Sequence, residues 1–239
     1  MKGLLIALQF MTRLPGPRLT VSAEEFAASM RWFPATGIVV GLCVAAGFWT
    51  GGLIDPWLAA LGALVVWVGV TGALHLDGLG DVADAIGAAH KDRTRMRAVL
   101  ADPHVGSFAV VAIAMLLIAK LILLHLLAEH QAILPLLLIP FAARIGPLLW
   151  SRALPPLHDG LGGQFRDAAV RGTGLLWAIL LFGAACLVPA LAVAIPLMLI
   201  WILALRSSLG GISGDGHGAG IELVETGLLL ATAIVIKGG

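Results

Sequence analysis

The chain alternates long apolar runs with short polar joints. Apolar stretches lie at about 35–53, 57–74, 105–127 and 132–150, and a last one at about 221–236. Between them, Thr173 to Leu205 carries no charge and is too long for one straight helix; Pro189 marks a break into two spans, against the rival of a single long bent helix. Runs of this length match the thickness of a bilayer's hydrocarbon core. The expected architecture is therefore all-α: a polytopic integral membrane helical bundle of about seven transmembrane helices (six to eight), forming one membrane domain over 1–239. Ahead of the first span, 1–34 forms an N-terminal interfacial segment. Its run 3–11 is too short to cross and ends at Pro15 and Pro17, and Ser22-Ala-Glu-Glu opens a second helix with a capping hydroxyl and early acids.

Composition supports this pattern. The chain is 59% hydrophobic and 12% charged, with a mean hydropathy of +1.00. A net charge of +1 excludes a basic nucleic-acid footprint. Cys43 and Cys186 both fall in apolar spans and read as buried small hydrophobes, not as a disulfide. No cleavable signal peptide is evident at the start. The basic residues then test the topology. Lys2, Arg13, Arg18, Arg31, Lys91, Arg93, Arg95, Arg97, Arg152, Arg166, Arg171 and Arg206 all map to one side of the seven-span arrangement, which the positive-inside rule makes cytoplasmic. Lys237 falls on the other side and Lys120 inside a span.

The most informative polar stretch is His75-Leu-Asp-Gly-Leu-Gly-Asp-Val-Ala-Asp84. Asp77, Asp81 and Asp84 sit at i, i+4 and i+7, within an arc of roughly 60° on an α-helix. No Lys or Arg lies between Arg31 and Lys91 to balance them. Three like charges so close call for a bridging cation or for protonation, and carboxylate oxygens suit Mg2+ or Mn2+. The bland alternative is a solvated helix face beside a membrane.

The cytoplasmic segment 75–104 continues with the basic run Lys91 to Arg97 and then Asp102-Pro-His-Val-Gly-Ser107. The basic run is either topogenic or, with Arg93 and Arg95, a grip for a di- or triphosphate. Asp102 either completes a metal shell or caps the next helix, and His104 either contacts substrate or is a lone interfacial histidine. A Gly-rich cytoplasmic loop at 207–220 holds six glycines between Gly210 and Gly220, so its backbone can approach a ligand closely. Asp215, Glu222 and Glu225 then enter the last span, where charges usually line a functional cavity. His158-Asp159 and Asp167 form a weaker polar segment.

These segments together resemble the adenosylcobinamide-GDP ribazoletransferase (cobalamin synthase) family. The pieces are Gln9-Phe-Met-Thr-Arg-Leu-Pro15, Phe33-Pro-x-x-Gly37, the run 75–84, Gly160-Leu-Gly, and Leu209-Gly-Gly-Ile-Ser-Gly-Asp-Gly-His-Gly-Ala219 followed by Glu222 and Glu225. The resemblance implies a Mg2+-dependent enzyme (Mn2+ as an alternative ion) of the bacterial inner membrane, with its active site facing the cytoplasm. It would join α-ribazole, or its 5′-phosphate, to adenosylcobinamide-GDP and release GMP. It implies Asp77, Asp81, Asp84 and Asp102 as metal ligands, Asp102 and Asp84 as catalytic carboxylates, and His75, Arg93, Arg95, His104, Asp215 and Glu222 as substrate contacts. The implied partners are those two substrates and the lipid bilayer, with no nucleic acid and a homo-oligomer left open. The chain departs from the family pattern where Ala101 and His104 stand in place of arginines and where Gly216-His217 follows Asp215. Two other readings compete: a CDP-alcohol phosphotransferase making a phospholipid, whose Asp-Gly-x-x-Ala-Arg signature is not met at Asp77, and a cation-coupled transporter using the stripe with Glu222 and Glu225 as its path.

Overall fold

The computed structural model describes residues 2–88, 92–100, 102, 104–157 and 173–238, apart from the side chains of Ala88, Arg93 and Arg97. Among the described residues the chain is helical, with an isolated bridge between Pro156 and Ile212. In order the helices are α1 (Lys2–Met11), α2 (Ala23–Ser29), α3 (Phe33–Gly52), α4 (Pro56–Thr71), α5 (Leu74–Ala88), α6 (Arg93–Leu100), α7 (Ser107–Glu129), α8 (Leu134–Ala143), α9 (Gly146–Ala153), α10 (Thr173–Leu187), α11 (Ala194–Ser208) and α12 (Gly214–Gly238).

Local chemistry sets most of these ends. Ser22 accepts from the Glu25 N–H at 3.2 Å while Glu25 accepts from the Ser22 N–H at 3.1 Å, a reciprocal capping box that opens α2. Asp55 caps α4 through the N–H groups of Trp57 and Leu58, and Pro56 takes the first helical position, where no N–H is needed. After Leu187, Val188 turns extended and Pro189 starts a 3-10 turn to Val193, so the uncharged run is two helices, as Pro189 implies.

Each of the seven expected apolar stretches is helical, but they differ in reach. Five helical stretches are long and apolar enough to cross a membrane: 23–52, 107–129, 134–153, 189–208 and 214–238. The helices α4 (16 residues) and α10 (15 residues) rise only about 24 and 22 Å, short of a hydrocarbon core of about 30 Å. A sixth crossing arises only if α4 and α5 count as one span, and they meet at 84°. That corner is made by Gly72 and Ala73, at φ 61° and 57°, the second an uncommon conformation for a residue with a Cβ. Helix α5 therefore turns off the line of α4 at this corner and does not extend it as a straight span. Two boundaries also move. The fourth run is interrupted at Arg144–Ile145 between α8 and α9, and the last helix begins at Gly214 instead of about 221. The Ser213 hydroxyl accepts from the Gly216 N–H at 3.1 Å, so the glycine-rich sequence is a short turn and then a capped helix.

Small residues let the spans touch backbone to backbone. A Cβ at Gly41 would lie 2.8 Å from the carbonyl carbon of Leu137 on α8, and one at Gly47 would lie 2.7 Å from the Gly62 carbonyl oxygen on α4. Helix α3 is thus clamped between its neighbours by small-residue packing, as in membrane helix pairs generally. Outward faces carry large apolar side chains, such as Val111, Met115, Ile118 and Ile122 on α7 and Leu175, Ile179 and Phe182 on α10. The cysteines are free, but Cys186 is exposed on α10 and Cys43 half-buried, so the expectation that both are buried is corrected.

Gly41→Leu forces side-chain atoms into the α8 backbone, which cannot swing aside. We expect it to destabilise the bundle by about 1–3 kcal/mol, read as a lower unfolding temperature in detergent. Gly183→Leu is the control: no described atom lies within 4 Å of a Cβ there, and the unfolding temperature should hold.

Candidate functional site

The stripe lies on one helix, α5, but its three carboxylates meet three environments. Asp77 is exposed, Asp81 half-buried and Asp84 buried. Asp84 accepts from the Gly106 N–H at 2.6 Å and from the Ala109 N–H at 3.0 Å. It thus satisfies the first N–H groups of α7, which Gly106 itself cannot cap. Asp81 has its carboxyl pushed up to about 6, first by burial and then by the charges of Asp215, Asp77 and Asp84. Negative potential therefore accumulates at Asp81 from two helices.

The second helix is α12. Glycines bring the two helices together: a Cβ at Gly78 would lie 2.8 Å from the Asp215 backbone oxygen, and one at Gly218 would lie 3.2 Å from the His75 Cα. Beside this crossing is a cavity of about 230 Å3. Phe10 and Met11 of α1, Phe33, Leu74, His75 and Asp77 line it on one side, and Gly214, Asp215, His217, Gly218 and Ile221 on the other. The Gln9–Pro15, Phe33–Gly37, 75–84 and 209–219 pieces thus converge, although they are far apart in sequence. His75 and Asp215, expected as substrate contacts, are both on the wall.

Other expected site residues stand elsewhere. Asp102 and His104 are exposed and pair with each other: Asp102 accepts from the His104 N–H at 3.0 Å and lies 2.6 Å from its Nδ1. That side-chain bond, and then the backbone one, holds the Asp102 carboxyl below its usual range. Among the described residues, no three His, Cys, Asp or Glu side chains are grouped closely enough to hold a metal ion, so Asp77, Asp81, Asp84 and Asp102 do not form a ready coordination shell. Arg95 is exposed on α6; the Arg93 side chain, Lys91, Ala101, His158, Asp159, Gly160-Leu-Gly and Asp167 lie outside the described residues.

Glu222 is not on the cavity wall. It is 3% exposed and accepts from Lys120 Nζ at 2.6 Å, because α12 turns that face toward α7. Lys120 also donates to Glu225 at 2.8 Å and sits over the Trp67 ring at 4.5 Å, and Arg144 donates to the other Glu225 oxygen at 2.8 Å. Two cations and two anions within the bundle thus neutralise one another. This arrangement removes Glu222 and Glu225 from any open cation path. The sequence held its signal, charges of both signs inside apolar spans, but not the pairing. His217 is a further wall residue that sequence reasoning did not select.

The fold and the site define an all-α polytopic membrane protein with carboxylates from two helices gathered at one mouth of its bundle. Residues 3–233 match the model of the cobalamin-5-phosphate synthase family, and the chain belongs to that family. A protein of Novosphingobium aromaticivorans is 59% identical over 238 residues, covering 98% of this chain and 97% of the relative. One of Laribacter hongkongensis is 48% identical over 243 residues (99% and 98%), and one of Brevibacillus brevis 35% over 240 (96% and 97%). All three are named adenosylcobinamide-GDP ribazoletransferase. No solved structure matches the chain.

Lys120→Met leaves Glu222 without the cation it faces. Breaking a buried pair from one side costs about 3–5 kcal/mol, so the variant should unfold at a clearly lower temperature in detergent. Lys120→Met combined with Glu222→Gln should recover part of the loss, since the orphaned charge is gone.

Proposed function

We propose that this chain joins a free ribose hydroxyl of a ribazole, or of its 5′-phosphate form, to adenosylcobinamide-GDP at the cytoplasmic face of a bacterial inner membrane, with GMP as the leaving product. One observation carries the reading: a family match over almost the whole chain meets, in the structure, a cavity whose rim is Asp77 and Asp215, with Asp81 beside them.

In charge and donor type these carboxylates fit a hard divalent cation, Mg2+ or alternatively Mn2+. Asp77 and Asp81 are not fully buried, and Asp215 approaches from the facing helix. When bound, the ion supplies charge neutralisation at the diphosphate oxygens. The rest is done by the chain. Asp84 fixes the start of α7 against α5 and so sets where Asp81 points. The crossing of Gly78 and Gly218 holds α5 and α12 in register. We assign the proton of the attacking hydroxyl to the exposed Asp102–His104 carboxylate–imidazole pair. The hydroxyl oxygen bonds to the corrinoid-side phosphorus, and the bond from that phosphorus to the oxygen leaving with GMP breaks. Arg93 and Arg95, on α6, are the basic residues we assign to the phosphates.

The test uses purified protein in nanodiscs with adenosylcobinamide-GDP, α-ribazole phosphate and Mg2+. Corrinoid product and GMP should form together, stop on chelation with EDTA, and return with Mg2+ or Mn2+. Asp81→Asn should lower turnover by at least about a hundredfold, the scale of several kcal/mol of charge stabilisation, with little change in unfolding temperature. Asp84→Ala should instead cost about 1–2 kcal/mol of stability as the α7 cap is lost. Full activity in Asp81→Asn would remove the metal assignment, and absence of GMP release by the wild type would remove the reading itself.

A further inference from the structure

The cavity between α1, α5 and α12 holds an unusual set of atoms. His75 is 2% and His217 8% exposed. Both ring nitrogens of His75 and Nδ1 of His217 have no hydrogen-bond partner among the described residues, while His217 Nε2 lies 3.2 Å from the Ser151 hydroxyl. A buried polar atom left unpaired costs about 1–3 kcal/mol, and three of them belong to residues lining one small space. Around them the walls are apolar: Phe10 and Phe33, whose rings lie near-parallel at 5.9 Å, with Met11, Leu74 and Ile221.

Size and charge narrow what could fill it. At about 230 Å3 the cavity falls below the roughly 300–1,000 Å3 of sites for drug-sized ligands. A corrinoid macrocycle cannot enter. A phosphate would face two carboxylates and apolar walls, with no cationic side chain among the lining residues. A neutral imidazole offers one donor and one acceptor nitrogen. This complements a flat, neutral ring system carrying its own nitrogens.

We propose that this cavity is the base subsite: it receives the nitrogen heterocycle of the nucleoside substrate between the aromatic and apolar walls, with His75 and His217 on the wall at its polar edge and a free ribose hydroxyl left at the Asp77–Asp215 rim. The proposal rests on the transferase reading above. It makes His75, His217 and Met11 residues that decide which base is accepted.

The experiment measures the Michaelis constants for both substrates, and equilibrium binding of benzimidazole riboside alone, for wild type, Leu74→Trp, His75→Phe and Met11→Ala, each checked for its unfolding temperature. Leu74→Trp narrows the cavity from a partly exposed position, and it should raise the riboside constants at least about tenfold, the scale on which apolar pockets discriminate by size, while the corrinoid constant stays in place. His75→Phe should act in the same direction. Met11→Ala should shift preference toward ribosides with bulkier rings. If wild type turns over but riboside binding is unchanged in folded Leu74→Trp, or both substrates weaken equally, or the Met11→Ala preference order does not move, the subsite assignment is overturned and the transferase reading stands. If wild type gives no product, the reading beneath it fails.

Discussion

The structure depends on neutralising charge where no water can do so. Lys120 on α7, Arg144 at the α8–α9 break and Glu222 and Glu225 on α12 are each almost wholly buried. Alone, any of them would strongly oppose insertion into a bilayer. Together they form a closed set of short ion pairs, and closing it requires three separate stretches of chain to meet at one depth. Such pairs are weak evidence for net stability but strong constraints on arrangement, because each wrong packing leaves a charge unpaired. Beside the close glycine contacts of the bundle, this network specifies how α12 is rotated.

That rotation decides the site. With Glu222 and Glu225 turned inward toward Lys120, the preceding turns of α12 present Asp215 and Gly218 to α5. The glycines at 78 and 218 then allow the two helices to approach closely enough for Asp215 to act on Asp81. The same approach encloses the cavity against α1. The charged layer inside the bundle and the carboxylate rim at its mouth are thus successive faces of one helix register.

Much of this was legible in the sequence. Helix periods and run lengths gave the class, the break at Pro189, the cap at Ser22 and the helical stripe, since each rests on local chemistry. What the sequence hid was pairing. Spacing places Asp77, Asp81 and Asp84 on one face, yet the face passes from solvent to interior along its length, so Asp84 is spent on the N–H groups of α7 and only Asp77 and Asp81 stay accessible. Glycine content read as loop at 210–220, but those glycines are needed for helix contact, and Ser213 starts the helix early. Glu222 looked like a ligand contact because a charge in a span usually is one; its partner lies 102 residues away on another helix, beyond any local pattern.

The exchange at residue 104 can be argued on the same physical ground. The family resemblance implies an arginine where this chain has His104. In the structure the imidazole Nδ1 lies 2.6 Å from Asp102, and since an ionised carboxylate only accepts, the proton must sit on that nitrogen. Compared with an arginine, the imidazole keeps a donor against Asp102 and carries no permanent positive charge. A guanidinium would hold Asp102 firmly ionised and could bind a phosphate bidentately. An imidazole does the first through one bond and cannot do the second. In the function proposed above, the phosphates are then left to the basic residues of α6.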